Sequence, residues 1–321
     1  MKTTIKFIIP SFTLTVFLLI GITSCGNSGL IPTVKTVSLT SVTATTVSCR
    51  GNVTSDGGST MKARGVCWST KPNPTTGDSK TTSTVGTGEY VCLLSGLTTD
   101  TKYYVRAYAT NKGGTAYGEE QSFTTLLADI DGNIYNTVTI GTQKWMAENL
   151  RTSRYRNGNL ITNVISPSDW ATKTTGVFSS YGNNTSNLST YGYLYNWYAV
   201  TDTRYIAPTG WHIPTVTEWN TMIAYLGGMS VAGPLLMETG NTHWTGNFAA
   251  GTNTSGFTAL PGGYIYAPTG AEVGFNNIST LGMWWSTLDA STNNTISISN
   301  GVVSLSSLSK TNGCSVRCVK D

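Results

Sequence analysis

The chain has 321 residues and few charges, 20 basic against 16 acidic, so that 11% of its residues are charged. No Lys/Arg cluster stands out along it, which excludes nucleic-acid binding through a basic footprint. The length suits two domains, and the richness in Thr, Ser, Asn, Gly and Tyr favours strands and turns over long helices.

The N-terminal segment predicts an export signal. Lys2 and Lys6 precede a largely apolar run, 7–22, and small residues follow it. A basic start, an apolar centre and small residues before a cut site are typical of secretory signals. A transmembrane anchor is the alternative, but the run is near the lower length limit for a span, Pro10 and Gly21 interrupt it, and no stop-transfer cluster follows.

The sequence Ile-Thr-Ser-Cys that ends at Cys25 resembles the lipobox of bacterial lipoproteins. The resemblance implies that residues 1–24 are removed as a signal peptide, that Cys25 carries diacylglycerol and a further acyl chain such as palmitate, and that 25–33 form a tether. Two or three acyl chains, with about 0.8 kcal/mol for each buried methylene, anchor a protein stably. We therefore expect a lipid anchor in the cell envelope, in the outer membrane, and the sequence leaves surface exposure open.

Residues 34–125 predict an all-β domain. Apolar residues alternate with polar ones in five short segments, and clusters of Gly, Asn, Asp and Pro separate the segments. The predicted strands are 46–53, 63–69, 90–94, 103–109 and 117–124. Evenly spaced short strands with turn signals between them indicate a β-sandwich.

This domain resembles a fibronectin type III module. Residues 97–107, Leu-Thr-Thr-Asp-Thr-Lys-Tyr-Tyr-Val-Arg-Ala, look like its E–F corner, and 64–69 with the Pro-Asn-Pro turn that follows look like the variety common in bacterial surface proteins. The resemblance implies an immunoglobulin-like sandwich in which Tyr103 is the tyrosine-corner residue. Cys49 stands where the second strand often has a core tryptophan. Cys49 and Cys92 would lie inward on neighbouring strands, either as a disulfide or as buried thiols.

Five cysteines remain beyond Cys25, and an odd number in an exported protein leaves at least one thiol without an intramolecular partner. If 314–319 is a strand, Cys314 and Cys318 lie about 13 Å apart along it. Bridged Cα atoms lie within about 7 Å. These two cysteines are therefore not expected to form a disulfide with each other.

After a short linker, 126–128, the pattern changes to an α+β domain, 129–321. Thr215 and Glu218 have capping-box spacing, and apolar residues at helical spacing follow up to Gly227. A second short helix is expected over 231–238. Glycine-rich and aromatic segments around these helices suit twisted strands and long loops.

Seven motifs of this half resemble, in order, the Fibrobacter succinogenes major paralogous domain. They are 129–135, 140–150, 192–197, 208–219, 256–264, 284–286 and 315–321. The Trp-His-Ile-Pro-Thr block and the Arg-Cys-Val ending also resemble the formylglycine-generating-enzyme-like, or sulfatase-modifying-factor, and C-type-lectin-like folds. That second resemblance implies fold only, with Cys318 in a core position.

We find no recognisable catalytic set, so we expect no enzymatic activity and no cofactor. His212 precedes a helix cap, where it suits a bracing role, and His243 lies in a polar loop. Neither has a Cys or carboxylate at zinc-ligand spacing, and no nucleophile elbow or P-loop occurs. The cysteine spacing near the C-terminus does not match that of copper-dependent formylglycine-generating enzymes. A hydrolase built from distant carboxylates stays an alternative.

Asp129, Asp131 and Asn133 have the oxygen spacing of a calcium loop, but the twelfth position is Ile140 instead of glutamate. A strand-joining turn accounts for these residues more simply, and we predict no metal site, although the sequence leaves calcium open. The Glu-Pro-Asn and Trp-Asn-Asp loops of sugar-binding C-type lectins are absent.

The sequence hypothesis is a tethered binding or adhesion protein for a glycan or protein ligand. The fibronectin-like module would be a spacer. Four aromatic residues beside variable-looking loops are speculative ligand contacts, since exposed Tyr and Trp favour recognition: Trp244, Tyr264, Tyr266 and Trp284. Packing in loops is the alternative for each. The alternatives for the whole protein are an envelope enzyme that uses a C-terminal cleft and a structural component of an envelope complex.

Overall fold

The computed structural model describes residues 29–246, 250–268, 272–287 and 294–321. The predicted signal peptide, the lipid-attachment residue Cys25 and the first part of the tether lie outside the described residues. None of the helices in those ranges is long and apolar enough to cross a membrane.

The N-terminal half is an all-β sandwich of two antiparallel sheets. Its strands are β1 (Thr33–Thr40), β2 (Val47–Ser55), β3 (Ala63–Ser69), β4 (Ser79–Ser83), β5 (Gly88–Leu94), β6 (Lys102–Thr110), β7 (Thr115–Tyr117) and β8 (Gln121–Thr124). One sheet has the order β1-β2-β5, and the other β4-β3-β6-β7 with β8 also paired to β6. The buried apolar residues of the predicted alternation therefore lie between the two sheets.

Cys49 and Cys92 are direct cross-strand partners in the β2–β5 pair. Both are buried in the sandwich core, and all five cysteines in the described ranges are free thiols. Burial raises the pKa of Cys49 to about 12. The structure therefore has the buried-thiol alternative, in which the sulfur atoms act as small apolar groups.

The corner between β5 and β6 includes residues 98–101, which contact the C-terminal half. The Tyr103 hydroxyl accepts a hydrogen bond of 3.0 Å from the Thr98 amide, which is the contact of a tyrosine corner. Its ring stacks on Phe123, with 5.7 Å between the centroids. Residues 98–101 are thus held close to the end of the sandwich.

The segment predicted as a linker is partly strand. β9 (Leu127–Ala128) pairs with β10 (Ile134–Tyr135), and Leu127 is buried in the C-terminal core. The turn between them is organised by Asp129, as described below. The connector is therefore the first strand of the second half.

Besides the β9–β10 pair, the C-terminal half has two larger sheets and five short helices in the described ranges. The remaining strands are β11 (Thr137–Ile140), β12 (Gln143–Met146), β13 (Thr162–Asn163), β14 (Val177–Ser179), β15 (Leu194–Asn196), β16 (Trp211–His212), β17 (Gly262–Tyr266), β18 (Gly274–Ile278), β19 (Leu281–Trp285), β20 (Thr295–Ser299), β21 (Val302–Ser306), β22 (Gly313–Cys314) and β23 (Val319–Lys320). The helices are α1 (Pro167–Ala171), α2 (Leu188–Tyr191), α3 (Trp197–Val200), α4 (Val216–Tyr225) and α5 (Met229–Leu236), and two 3-10 turns lie at Tyr181–Asn183 and Thr185–Asn187.

One sheet has the order β11-β12-β23-β16, and the other β13-β14-β15-β22-β17-β19-β20-β21 with β18 paired to β17. The segment 314–319 is not a single strand, because β22 belongs to the second sheet and β23 to the first. Between them the Arg317 side chain is buried and donates to the Asn149 side chain and to backbone carbonyls. The chain passes from the second sheet to the first between Cys314 and Cys318. Cys314 is therefore buried at the end of β22, and Cys318 is buried directly before β23.

The capping box at α4 sets the geometry of the later site. The Thr215 hydroxyl accepts from the Glu218 amide, and the Glu218 carboxylate accepts from the Thr215 amide. α4 ends before Gly227 and Gly228, whose φ angles are +98° and +96°. α5 then starts two residues earlier than predicted, directly after this glycine pair.

Candidate functional site

Two of the four aromatic residues predicted as ligand contacts are buried. Trp244 is 1% exposed and Trp284 is 0% exposed. Their indole N–H groups donate to the Ala259 carbonyl at 3.0 Å and to Asn149 Oδ1 at 2.8 Å. This corrects the prediction for both residues, because an indole without an exposed face cannot stack on a ligand.

The other two residues lie on β17. Tyr264 is partly buried against the core, and Tyr266 is exposed, with their ring centroids 6.4 Å apart in an edge arrangement. Of the four residues, Tyr266 is the exposed one.

A groove of about 370 Å³ lies beside the segment that joins α3 to β16. We call it the Tyr205 groove; residues of 200–207, His212, Ile213 and Thr287 line it. The groove therefore borders the Trp-His-Ile-Pro-Thr block that the sequence singled out. Its volume is at the low end of the range for small-ligand sites.

Tyr205 is the conspicuous residue of this groove. Its backbone has a φ of +55°, and its side chain is 58% exposed. Among the described non-glycine residues with a left-handed backbone, Tyr205 is the only aromatic residue. Since this conformation costs about 1–2 kcal/mol for an L-residue, the surrounding structure must hold it.

Arg156 provides this support. Its amide donates to the Tyr205 carbonyl at 2.7 Å, and its guanidinium carbon lies 5.0 Å from the centre of the Tyr205 ring. The guanidinium is itself fixed by the carbonyls of Ala207, Pro208 and Trp211, each at 2.9 Å. One face of the ring thus packs on a cation, and the side chain still projects into solvent.

Asp202 lines the same groove and is paired with Arg204. Arg204 donates from Nε to Asp202 Oδ1 at 2.9 Å and from an Nη to Oδ2 at 2.7 Å. The Arg204 hydrogen bonds lower the pKa of Asp202 to about 2, although burial opposes them. The Tyr205 amide closes the turn by donating to the Asp202 carbonyl at 2.9 Å.

His212 lines the opposite side between two carboxylates. Its Nε2 lies 2.8 Å from Glu218 Oε1, and its Nδ1 lies 2.7 Å from Asp321 Oδ1. The hydrogen bond to Glu218 raises the pKa of His212 against the effect of burial. Burial works to raise the pKa of Glu218, but hydrogen bonds from His212 and Thr215 lower it. His212 therefore ties the α4 cap to the chain end.

The Asp129 turn contains no grouped metal ligands. Asp129 Oδ1 accepts from the amides of Asp131 and Asn133, both at 3.0 Å, and its Oδ2 accepts from the Asn133 amide group and from the Tyr135 hydroxyl. Asp131 pairs with Arg154 at 3.1 Å. These carboxylates already have protein donors, and the structure over its described ranges shows no cluster of three or more His, Cys, Asp or Glu that could hold a metal.

Sequence reasoning missed Tyr205 and Arg156. Tyr205 lies between two family-like motifs but within neither, and no glycine or asparagine marks its left-handed backbone. The available signal was the segment Asp202-Thr203-Arg204-Tyr205, three polar residues and one aromatic residue between α3 and the Pro-Thr-Gly-Trp motif.

Three solved structures resemble parts of the chain. The sensor domain of the anti-sigma factor RsgI4 from Pseudobacteroides cellulosolvens is 18% identical over 30% of this chain and 95% of its own, with a TM-score of 0.23. A human fibronectin type III domain from fibronectin type III domain containing protein 3 is 22% identical over 32% and 91%, with a TM-score of 0.22. The chicken CNTN1 FN1-FN3 domains are 17% identical over 29% and 30%, with a TM-score of 0.23.

No curated protein matches the chain. The all-β character of the N-terminal half follows from its own strands and sheet register. In the C-terminal half, residues 138–320 match the sequence profile of the Fibrobacter succinogenes major domain, within the region 129–321 where the motifs predicted it. This match spans more than half of the chain, which therefore belongs to the Fibrobacter succinogenes major domain family.

Proposed function

We propose that this protein is an exported, lipid-anchored, non-catalytic binding protein that presents the Tyr205 groove to a saccharide. The observation that carries the proposal is the exposed Tyr205 ring, held in left-handed backbone by Arg156. Backbone strain of this kind is concentrated at ligand clamps and similar sites. An exposed aromatic face beside polar groups suits stacking on a pyranose ring.

The polar groups of the groove favour a neutral ligand that carries hydroxyl groups. Thr201, Thr203 and Thr287 supply hydroxyl oxygens, and Asp202 supplies carboxylate oxygens. The charged residues that line the groove already have charged partners, Arg204 for Asp202 and two carboxylates for His212. A strongly charged ligand would therefore have to displace an existing ion pair.

His212 supports binding over catalysis. Both of its ring nitrogens are engaged by carboxylates. A general base must reach the proton that it removes. As placed, His212 holds the α4 cap and does not point a free nitrogen into the groove.

The tether and the fold complete the proposal. Export and acylation rest on the signal-like start and the lipobox-like sequence at Cys25. A C-type-lectin-like or formylglycine-generating-enzyme-like fold for 129–321 rests on the Trp-His-Ile-Pro-Thr block and the Arg-Cys-Val ending.

A glycan array tests the binding role. The chain from residue 26 onward should bind a subset of neutral glycans, and Tyr205→Ala should weaken that binding at least tenfold, about 1.4 kcal/mol, because it removes the stacking face. Tyr225→Ala is the matched control, since Tyr225 is 67% exposed at the end of α4. Equal binding by Tyr205→Ala and Tyr225→Ala, or no bound glycan, would contradict the proposal.

Metabolic labelling tests the anchor. In cells given labelled palmitate, the wild-type chain should carry the label and partition with membranes. Cys25→Ser should lose both properties, because the acceptor sulfur is gone. Ser28→Ala keeps that sulfur and should behave as wild type. Label that persists on Cys25→Ser would show that the chain is anchored in another way.

A further inference from the structure

A second cavity, of about 350 Å³, lies between the two halves of the chain. We call it the junction cleft. The N-terminal sandwich contributes Thr45, Thr98 and Thr99, and the C-terminal half contributes Arg156, Pro208 and Thr209. The spacer module thus forms one wall of a cavity of ligand size.

An ion-pair cluster holds the two walls together. The Asp100 carboxylate, whose side chain is 5% exposed, lies 2.5 Å from the ammonium nitrogen of Lys144 and 2.5 Å from that of Lys320. Lys320 also donates to the Asp100 carbonyl at 3.0 Å. Lys144 and Lys320 lie on the neighbouring strands β12 and β23, so one carboxylate of the sandwich joins two strands of the other half.

The connector is fixed at the same corner. The Leu126 carbonyl accepts from the Thr99 hydroxyl at 2.6 Å and from the Asp100 amide at 3.2 Å. The Thr99 hydroxyl oxygen in turn accepts from the Ala128 amide at 2.7 Å. Because the ion pairs and the connector act on adjacent residues, the junction cleft is formed before any ligand enters.

The junction cleft adjoins the Tyr205 groove. Ile206 and Ala207 form part of the wall of both cavities. Arg156 lines the junction cleft, and its guanidinium packs against the Tyr205 ring. A ligand that stacks on Tyr205 therefore lies next to the cleft.

The chemistry of the two cavities is alike. The junction cleft is lined by threonine hydroxyls and by small apolar groups, and its charged residues Asp129 and Arg156 already bind protein donors and carbonyls. Hydroxyl groups beside apolar surface suit further sugar units better than they suit a charged polymer. Peptides are usually bound by apolar anchor pockets or by a free sheet edge.

We propose that the ligand is an extended neutral oligosaccharide that occupies the Tyr205 groove and the junction cleft together, so that the sandwich is part of the binding site and not a spacer. This inference rests on the proposed saccharide-binding function. It predicts that affinity depends on chain length, because short saccharides reach the groove alone and long ones reach both cavities.

Isothermal titration calorimetry with gluco-, manno- and xylo-oligosaccharides of two and six units tests the inference. Thr98→Trp fills the cleft from the sandwich side; Thr98 is exposed, and its backbone contacts with Tyr103 and Thr125 do not use its side chain. It should weaken six-unit binding at least tenfold and leave two-unit binding within twofold. Thr209→Trp fills the cleft from the other side and should act alike.

Thr54→Trp is the matched control, since Thr54 is exposed at the far end of β2 from the junction, and it should bind both lengths as wild type does. Tyr205→Ala should weaken both lengths. If folded Thr98→Trp and Thr209→Trp bind six units as wild type does, the extended site is wrong although the groove stands. If wild type binds no neutral saccharide, in these titrations or on the glycan array, or binds a peptide array instead, the proposed function itself fails.

Discussion

His212 is held by a carboxylate on each ring nitrogen, from α4 and from the chain end. Its pKa is raised above the ordinary value near 6.5, so its contribution to stability is fully present below that value and is lost as the pH rises through the folded-state pKa. The pKa of Glu218 is lowered, so its contribution is present above about 4.5 and is lost as the pH falls. The cluster is therefore most stabilising between these two values.

The His212→Gln variant tests this. We expect it to be less stable than wild type at pH 5.5, and the difference should shrink by roughly 0.5–1 kcal/mol at pH 9; more than one-third of the imidazole is exposed, so solvent screens the interaction. Urea unfolding at both pH values measures the free energies. A difference that is the same at pH 5.5 and pH 9 would show that charge on His212 does not contribute.

At the scale of elements, the sequence predicted those helix ends and strands that depend only on residues close together in the chain. The α4 cap needs only Thr215 and Glu218 at the right spacing, and the predicted alternation located β2, β3, β5 and β6, but not β1 or β4. The ends of α5 differ from the prediction by two residues, because α5 starts directly after the glycine pair. The segment 314–319 is divided by a crossing between two sheets, and that crossing has no local sequence signature.

In the candidate site, too, the features set by distant contacts could not be predicted from the sequence. The sequence marked the Trp-His-Ile-Pro-Thr block as a family and fold motif, but it predicted neither the groove beside this block nor the ring that the groove exposes. Trp284 is buried in the C-terminal core, where its indole N–H donates to Asn149, 135 residues away, and spacing in the sequence cannot show this. Tyr205 has no neighbouring signal for its left-handed backbone, since that conformation is imposed by Arg156 from another loop.

At the scale of the whole molecule, contacts distant in sequence join the two halves. Lys144 and Lys320 lie 44 and 220 residues from Asp100. The sequence therefore predicted two domains and a short linker, but not that the linker would be a strand or that its neighbours would form a shared cavity. The Asp100 carboxylate is thus one of the groups, together with the Thr99 hydroxyl, that hold the two halves at this corner.

Asp100→Asn tests this arrangement by calorimetry of the chain from residue 26 onward. Asparagine tolerates the left-handed backbone of Asp100, φ +46°, so the change removes charge with little backbone strain. Breaking a buried ion pair costs about 3–5 kcal/mol, but here the lysines stay partly exposed and can rehydrate, so we expect about 1–2 kcal/mol. The wild type should unfold in one transition, and Asp100→Asn in two.

Glu89→Gln is the matched control. Glu89 forms an ion pair with Arg50 at 3.4 Å, with side chains 58% and 50% exposed, within the sandwich and away from the junction. Exposed pairs contribute little, so this variant should keep the single transition of the wild type. If both variants keep the single transition, Asp100 does not couple the two halves. If only Asp100→Asn shows two transitions, the ion-pair cluster at Asp100 is what makes the junction cleft a fixed cavity.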